Sequence, residues 1–252
     1  MPADKPRVIG VIPARYGSTR LPGKSLIPLC GKPLVVWVLE RVRQAAGLDD
    51  VCVATDDDRI RAVVEAHGGR VAMTRADHPS GTDRIAEAVA GDAAEVVINI
   101  QGDEPLIDPG LITRLAQRLA SEPEWAMATA AAPIDDPADL SNPAVVKVVC
   151  DRRGRALYFS RAAIPYVRDA APAGLRHFRH IGIYGYRRTF LRRMVAEPPC
   201  LLERTEKLEQ LRALDLGAAI LVLETAWAGI GVDTPDDVPR AEAALRRAGL
   251  AV

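Results

Sequence analysis

The sequence predicts a three-layer α/β fold on a mostly parallel sheet, with an antiparallel insertion, and three observations predict it. Four short runs, Val8–Ile12, Val51–Thr55, Arg70–Thr74 and Val96–Ile100, alternate with helical patterns over Pro33–Ala46, Asp57–His67 and Thr82–Ala90. The runs are nearly all apolar instead of alternating, as in strands covered on both faces. The segments joining them are long enough for right-handed βαβ crossovers.

Taken in order, Val8–Ile12 is the first strand. Pro33 sits at the first position of the first helix, and Gly47 and Gly68 stop the first and second helices. After Pro109 the rhythm changes. A helix over Pro109–Ala120 leads to a strand near Ala126–Ala130. Val145–Cys150 and Ala156–Phe159 then flank the turn Asp151–Gly154 as a hairpin. Ile181–Tyr186 is a strand, followed by helical segments near Thr189–Val195 and Thr205–Leu214. A last strand at Ile220–Glu224 leads to Thr234-Pro235-Asp236-Asp237, read as a capping box opening the C-terminal helix. No linker, repeat or low-complexity tract divides the chain. One domain over residues 1–252 is expected, with the insertion at about 140–190.

The chain has 252 residues, is 48% hydrophobic and carries no formal net charge. That is enough apolar material for a full core, and it lacks the basic excess of nucleic-acid or membrane-surface binders. Four cysteines at 30, 52, 150 and 200 are too scattered for a metal knuckle or a redox pair. The early apolar run is too short for a signal peptide, and no window reaches the roughly 18 apolar residues of a membrane span. A soluble cytoplasmic protein is expected.

Charge is concentrated locally. No Asp or Glu occurs between Asp4 and Glu40, whereas Lys5, Arg7, Arg15, Arg20, Lys24 and Lys32 do. The stretch Ile12–Lys24 leaves the first strand as a basic, glycine-containing loop. Such a loop suits polyphosphate: glycine permits close approach, N–H groups face the anion, and Arg and Lys neutralise it. It is not a Walker A loop, since five residues separate Gly17 from Gly23-Lys24-Ser25 and Pro22 lacks an N–H. No G-x-G-x-x-G occurs anywhere in the chain, which removes a dinucleotide-binding turn.

Ligands of open α/β sheets bind beyond the carboxyl ends of the strands. The segments expected there are polar: Arg75–Arg84, Gln101-Gly102-Asp103-Glu104-Pro105, and Gly231-Val232-Asp233-Thr234-Pro235. Asp103 and Asp233 each close a hydrophobic segment. Two carboxylates beside a polyphosphate loop suit Mg²⁺, which keeps several waters and takes its other ligands from phosphate. No covalent catalyst stands out, for Ser160 lacks a nucleophile elbow and no cysteine has an evident histidine partner. His177 and His180 fall on a strand at a spacing that sends them to opposite faces. Asp56-Asp57-Asp58 and His67 read as solvated or helix-start groups. Direct displacement at phosphorus needs no enzyme nucleophile, because positioning, Mg²⁺ and cations suffice.

With those residues in view, the chain resembles the 3-deoxy-manno-octulosonate cytidylyltransferases, the CMP-Kdo synthetases. Ile12–Lys24, Met73–His78 with Ser80-Gly81-Thr82, and Gln101–Pro105 carry the resemblance. So do Asn142-Pro143 with Val145–Val149, Leu157–Arg161, Arg179–Tyr186, Leu208–Arg212 and Gly231–Pro235. It implies a Rossmann-like nucleotide-diphosphosugar transferase fold, a homodimer, and the reaction of CTP with Kdo to give CMP-Kdo and pyrophosphate for lipopolysaccharide synthesis. By the resemblance, Arg15 and Lys24 bind the triphosphate, with Ala14, Ser18 and Gln101 beside the nucleotide. Arg75 and Ser80 recognise cytosine, and Asp103 and Asp233 hold Mg²⁺. Gln101, Arg161, His180, Tyr184, Glu209 and Gln210 contact the acidic sugar. Arg161 offers a fork for a carboxylate. The implied chemistry is in-line attack of the sugar's anomeric hydroxyl on the α-phosphorus. Two departures stand out: Ser25 replaces the family's usual Pro, and Val167–Arg176 is an Ala/Pro-rich loop bordering the sugar side. Another acidic sugar (sialic acid or an amino analogue of Kdo) and a catalytically silent nucleotide-binding protein are the alternatives.

Overall fold

The computed structural model describes residues 5–18, 20–227 and 229–251, so Thr19 of the basic loop lies outside the described residues. β1 (Val8–Pro13) leads into that loop and a short 3₁₀ turn at Lys24–Leu26. Next come β2 (Pro28–Leu29) and β3 (Lys32–Pro33), then α1 (Leu34–Val42), β4 (Asp50–Thr55), α2 (Asp58–Ala66), β5 (Arg70–Met73), α3 (Gly81–Ala88) and β6 (Val96–Asn99). The second half runs α4 (Pro109–Ser121), β7 (Met127–Pro133), α5 (Pro137–Ser141), β8 (Lys147–Cys150), β9 (Ala156–Ser160) and β10 (Phe178–Arg187). α6 (Arg188–Ala196), α7 (Leu201–Glu206), α8 (Gln210–Asp215), β11 (Ile220–Glu224) and α9 (Asp237–Arg247) complete it.

The main sheet has nine strands, with the path β11-β7-β10-β6-β1-β4-β5. β1 pairs in parallel with β4 and β6, β4 with β5, and β7 with β11. β10 runs antiparallel between β6 and β7, and its start also pairs with β8 of the expected β8–β9 hairpin. Alternate strand residues feed two cores, as period-two geometry demands. Val8, Ile12, Val96 and Ile98 pack under α1, α2, α4 and α9, whereas Ile9, Val11 and Val97 pack under α3, α6 and α8. These are the expected three layers.

Four local expectations are corrected. A two-residue hairpin turn at Cys30-Gly31, both with positive φ, makes the β2–β3 ribbon; Pro33 therefore ends a strand and caps α1 from one position earlier than expected. α1 also stops at Val42, short of Ala46. The helix expected over Thr205–Leu214 is two short helices, because Lys207 adopts the left-handed conformation at the end of α7. Finally, Thr234 does not cap α9. The Asp237 carboxylate instead accepts hydrogen bonds from the N–H groups of Asp233 and Thr234 and from the Thr234 hydroxyl, so only half of the capping box forms. No helix among the described residues is long and apolar enough to cross a membrane.

Candidate active site

The strand order reverses at β1: the chain moves outward through β4 and β5, then crosses back to β6 on the other side. The crevice beyond the carboxyl ends of β1 and β6 is thus a topological switch point, where open α/β sheets bind ligands. The basic loop leaves β1 there, and Gln101–Glu104 leaves β6. Gly102 lets the two segments meet, since a Cβ on it would lie 2.7 Å from the Pro13 carbonyl oxygen. Gly102→Ala must push these segments apart, and misplacements of about 1 Å can cost on the order of 100-fold. We expect kcat to fall by about 10- to 100-fold in that variant with a folded protein, as read by steady-state kinetics beside a melting curve.

The basic loop folds on itself. The N–H groups of Ser18 and Gly23 both donate to the Tyr16 carbonyl and that of Lys24 to Leu21, so these three do not face an anion as expected. Gly23 takes positive φ to turn the chain into the 3₁₀ segment. The Arg59 guanidinium stacks 3.3 Å over the Tyr16 ring, fixing the loop against α2.

Lys24 is the centre of the site. Its ammonium donates to Asp103 at 2.7 Å and to Asp233 at 3.0 Å, and Arg20 reaches Asp233 at 3.1 Å. Burial opposes the charged form, but the two carboxylates prevail and hold the Lys24 ammonium above its ordinary range. Two supports aim the carboxylates. The N–H of Val232 donates to the Asp103 carbonyl, and Asp237 fixes the backbone at Asp233. Glu104 accepts from the Ile230 N–H and sits against Gly229 and Gly231, joining both carboxylate loops. Burial, and then the adjacent Asp103, push Glu104 up to about 7.

Ala14, Arg15, Ser18, Lys24, Ser80, Gln101, Asp103 and Asp233 line one cleft of about 380 Å³, together with Arg20 and Arg84. Ser80 caps α3, accepting from the Asp83 N–H. Arg75 stands outside the cleft: its guanidinium pairs with Glu87 and lines a neighbouring groove with His78 and Arg192. Arg84 joins the cleft from the end of the polar Arg75–Arg84 segment. It is 4% exposed and pairs with Asp56 at 3.0 Å, so Asp56 is not the solvated group expected. An arginine among the inward positions of α3, beside Thr82 and Ile85, is the signal that marks it.

Four of the residues expected at the sugar, His180, Tyr184, Glu209 and Gln210, form a second cluster on the α3–α6–α8 face of the sheet. His180 meets the edge of Phe159 at 5.1 Å and the Tyr184 ring at 5.4 Å. The Tyr184 hydroxyl donates to Gln210 at 3.5 Å. Glu209 accepts from Thr82 at 2.8 Å and from Ser80 at 3.3 Å, which ties the cluster to the cleft. Burial pushes Glu209 up, against the pull of Thr82 and Arg212. Asn99 Oδ1 and Gln210 Nε2 are buried with no hydrogen-bond partner among the described residues. His177 lies away from His180, against the Pro165 carbonyl. Arg161 sits at the end of β9, while Gln101 is the member of this set that opens into the cleft.

The Thr129 hydroxyl lies 2.7 Å from the Ile183 carbonyl and 2.9 Å from His180 Nε2. Donating its proton to Ile183, it accepts from Nε2–H and leaves Nδ1 as an acceptor. Burial pushes His180 down to about 3. An unfolded histidine takes up its proton near pH 6.5, so between those values the unfolded chain binds more protons than the folded one. Stability is expected to fall as the pH drops from 6.5 toward 3. Urea midpoints at about pH 7 and about pH 5 test this: wild type should lose more than His180→Asn, and equal losses would contradict it.

A family profile described as Cytidylyltransferase matches residues 9–220. The 3-deoxy-manno-octulosonate cytidylyltransferase of Syntrophotalea carbinolica is 51% identical, over 95% of this chain and 98% of its own length. That of Geobacter sulfurreducens is 48% identical, over 92% of this chain and 97% of its own. The chain belongs to the 3-deoxy-manno-octulosonate cytidylyltransferase family. A solved CMP:2-keto-3-deoxy-manno-octonic acid synthetase complexed with CTP superposes with a TM-score of 0.91 at 44% identity, covering 96% of this chain and 99% of that one. A 4-diphosphocytidyl-2C-methyl-D-erythritol synthase from Anaerococcus prevotii, 15% identical with a TM-score of 0.65 over 97% of this chain and 98% of that one, shares the family's fold.

Proposed function

We propose that this protein transfers the CMP moiety of CTP to the acidic sugar Kdo, giving CMP-Kdo and pyrophosphate. The observation that carries the reading is the meeting of Lys24 with Asp103 and Asp233 at the mouth of the β1–β6 crevice. Membership of the family, whose relatives are named for this activity, supports the choice of nucleotide and sugar.

Asp103 and Asp233 would hold Mg²⁺. The donor set fits: both carboxylates already converge on one cation, the Lys24 ammonium, and two protein oxygens suffice for an ion that takes waters and phosphate oxygens as its other ligands. Bound there, Mg²⁺ supplies positive charge to the triphosphate and lowers the pKa of a coordinated hydroxyl. The protein's own groups do the rest. Arg15 and Lys24 bind the triphosphate and stabilise the charge that develops on the departing pyrophosphate. Gln101, between cleft and sheet, orients the sugar over the α-phosphorus. His180, Tyr184, Glu209 and Gln210 offer donors and acceptors to its hydroxyls, and Arg161 pairs with its carboxylate. Arg75 keeps its proposed cytosine role only by leaving Glu87.

The proposal extends to a cytoplasmic homodimer that feeds lipopolysaccharide synthesis. Nucleotide choice and metal dependence test the chemistry together. With Kdo present, CTP should react and ATP, GTP and UTP should not; chelation should stop the reaction, and added Mg²⁺ should restart it. Turnover that survives chelation would overturn the metal assignment, and equal use of all four nucleotides would overturn the cytidylyl assignment.

A further inference from the structure

Lys147 is buried completely, yet no carboxylate among the described residues touches it. Its ammonium donates instead to three backbone carbonyls: Asn142 at 3.0 Å, Val145 at 2.7 Å and Arg161 at 2.6 Å. A lysine has three N–H donors, and here each one is taken. Burying a cation against neutral acceptors is costly, and an apolar side chain of similar size would fill the same volume without that cost. Packing alone therefore does not call for lysine at this position. What an apolar residue could not do is tie the turn at 142–145 to the carbonyl of Arg161.

The other polar groups of Arg161 are held as tightly. Its N–H donates to the Glu206 carboxylate at 2.8 Å, and its Nε donates to the Glu206 carbonyl at 2.7 Å. Its Nη1 donates to the Pro143 carbonyl at 2.8 Å, within the turn that Lys147 grips. Glu206 is anchored in turn by the Ser160 hydroxyl at 2.6 Å. Nη2 makes no hydrogen bond among the described residues. An arginine side chain ordinarily loses rotamer entropy when a ligand orders it; this one is already ordered. Two cations and one carboxylate leave the group with one positive charge, matched to one carboxylate. The frame also reaches the sugar cluster, because the His180 N–H donates to the Val146 carbonyl beside Lys147.

We infer that Lys147 and Glu206 are positioning residues that hold the Arg161 guanidinium ready for the carboxylate of the acidic sugar. The inference rests on the proposed pairing of Arg161 with that carboxylate. The two residues act through Arg161 and do not touch substrate.

The test compares Lys147→Met, Glu206→Ala, Glu206→Gln and Arg161→Met in the full-length protein, each checked by circular dichroism. KM is measured separately for Kdo and for CTP, and kcat/KM for Kdo is compared with that for its C1 carboxamide. Glu206→Ala and Lys147→Met should raise KM for Kdo by about tenfold or more, leave KM for CTP within about twofold, and reduce the preference for acid over amide. Glu206→Gln keeps an acceptor for the Arg161 N–H and should recover part of the loss. Glu206, at the edge of the frame, carries the test by itself if Lys147→Met does not fold. If Arg161→Met raises KM for Kdo and neither frame variant does, or if both KM values rise together, the inference is overturned and the pairing stands. If Arg161→Met leaves both KM for Kdo and the acid preference unchanged, the pairing itself fails.

Discussion

Asp103→Ala is expected to lower turnover by about 1,000-fold while leaving a folded protein. The magnitude follows from removing one of two carboxylates proposed to hold the cation that faces the reacting phosphate, where losing a single charge-stabilising group costs roughly 100- to 1,000-fold. The small effect on folding follows from the local contacts. Asp103 is a quarter exposed, and without it Lys24 keeps Asp233 at 3.0 Å, so no buried charge is left unpaired. Stability should change by no more than about 1 kcal/mol. Asp103→Asn separates charge from shape, since it preserves volume and an acceptor for Lys24. It should lose nearly as much rate as alanine. Pyrophosphate release with saturating CTP and Kdo, beside a thermal melt, reads both effects. Substantial activity in Asp103→Ala with Mg²⁺ present would remove Asp103 from the metal site.

Lys24→Met should have the second largest effect, and it reads in two directions. Without the ammonium, the departing pyrophosphate loses a cation, and kcat should fall by about 100-fold or more. The same change leaves Asp103 and Asp233 facing one another without the charge that now bridges them. The nucleotide-free variant should then bind Mn²⁺ at least about tenfold more tightly than wild type, as titrated by the loss of the free-ion paramagnetic signal. In the wild-type protein a bound triphosphate can draw Lys24 away, so CTP should tighten Mn²⁺ binding there and do so less in the variant. Unchanged kcat would dismiss the phosphate role of Lys24. Unchanged Mn²⁺ affinity would dismiss the idea that ammonium and metal compete for one pair of carboxylates.

These effects meet at a place that the chain order conceals. Lys24 and Asp103 are 79 residues apart and Lys24 and Asp233 are 209 apart, yet the three converge. The sequence could place each one at the end of a strand or hydrophobic segment, and the rule for open sheets then brings such ends to one edge. That is why most cleft residues were legible. What remained hidden has physical causes. The β2–β3 turn and the break after α7 depend on left-handed conformations at Cys30 and Lys207, neither of them glycine, which composition does not announce. Arg84 and Lys147 are charged groups in buried positions, and a charge read in sequence is taken for surface until its partners are known. Arg75 lay within a motif of the resemblance, but Glu87, twelve residues on, holds its guanidinium outside the cleft. Asp237 resembled half of a helix cap and proved to be the group that fixes Asp233.

Pyrophosphate release tests most directly whether this protein pairs one nucleotide with one acidic sugar. Purified protein is supplied with Mg²⁺ and CTP, with Kdo in one reaction and sialic acid in another. Release is expected with Kdo and none with sialic acid. Release with sialic acid alone would keep the cleft chemistry and contradict the assignment of Arg161, His180, Tyr184, Glu209 and Gln210 to Kdo. No release with either sugar, from protein that binds CTP, would contradict the proposed reaction itself.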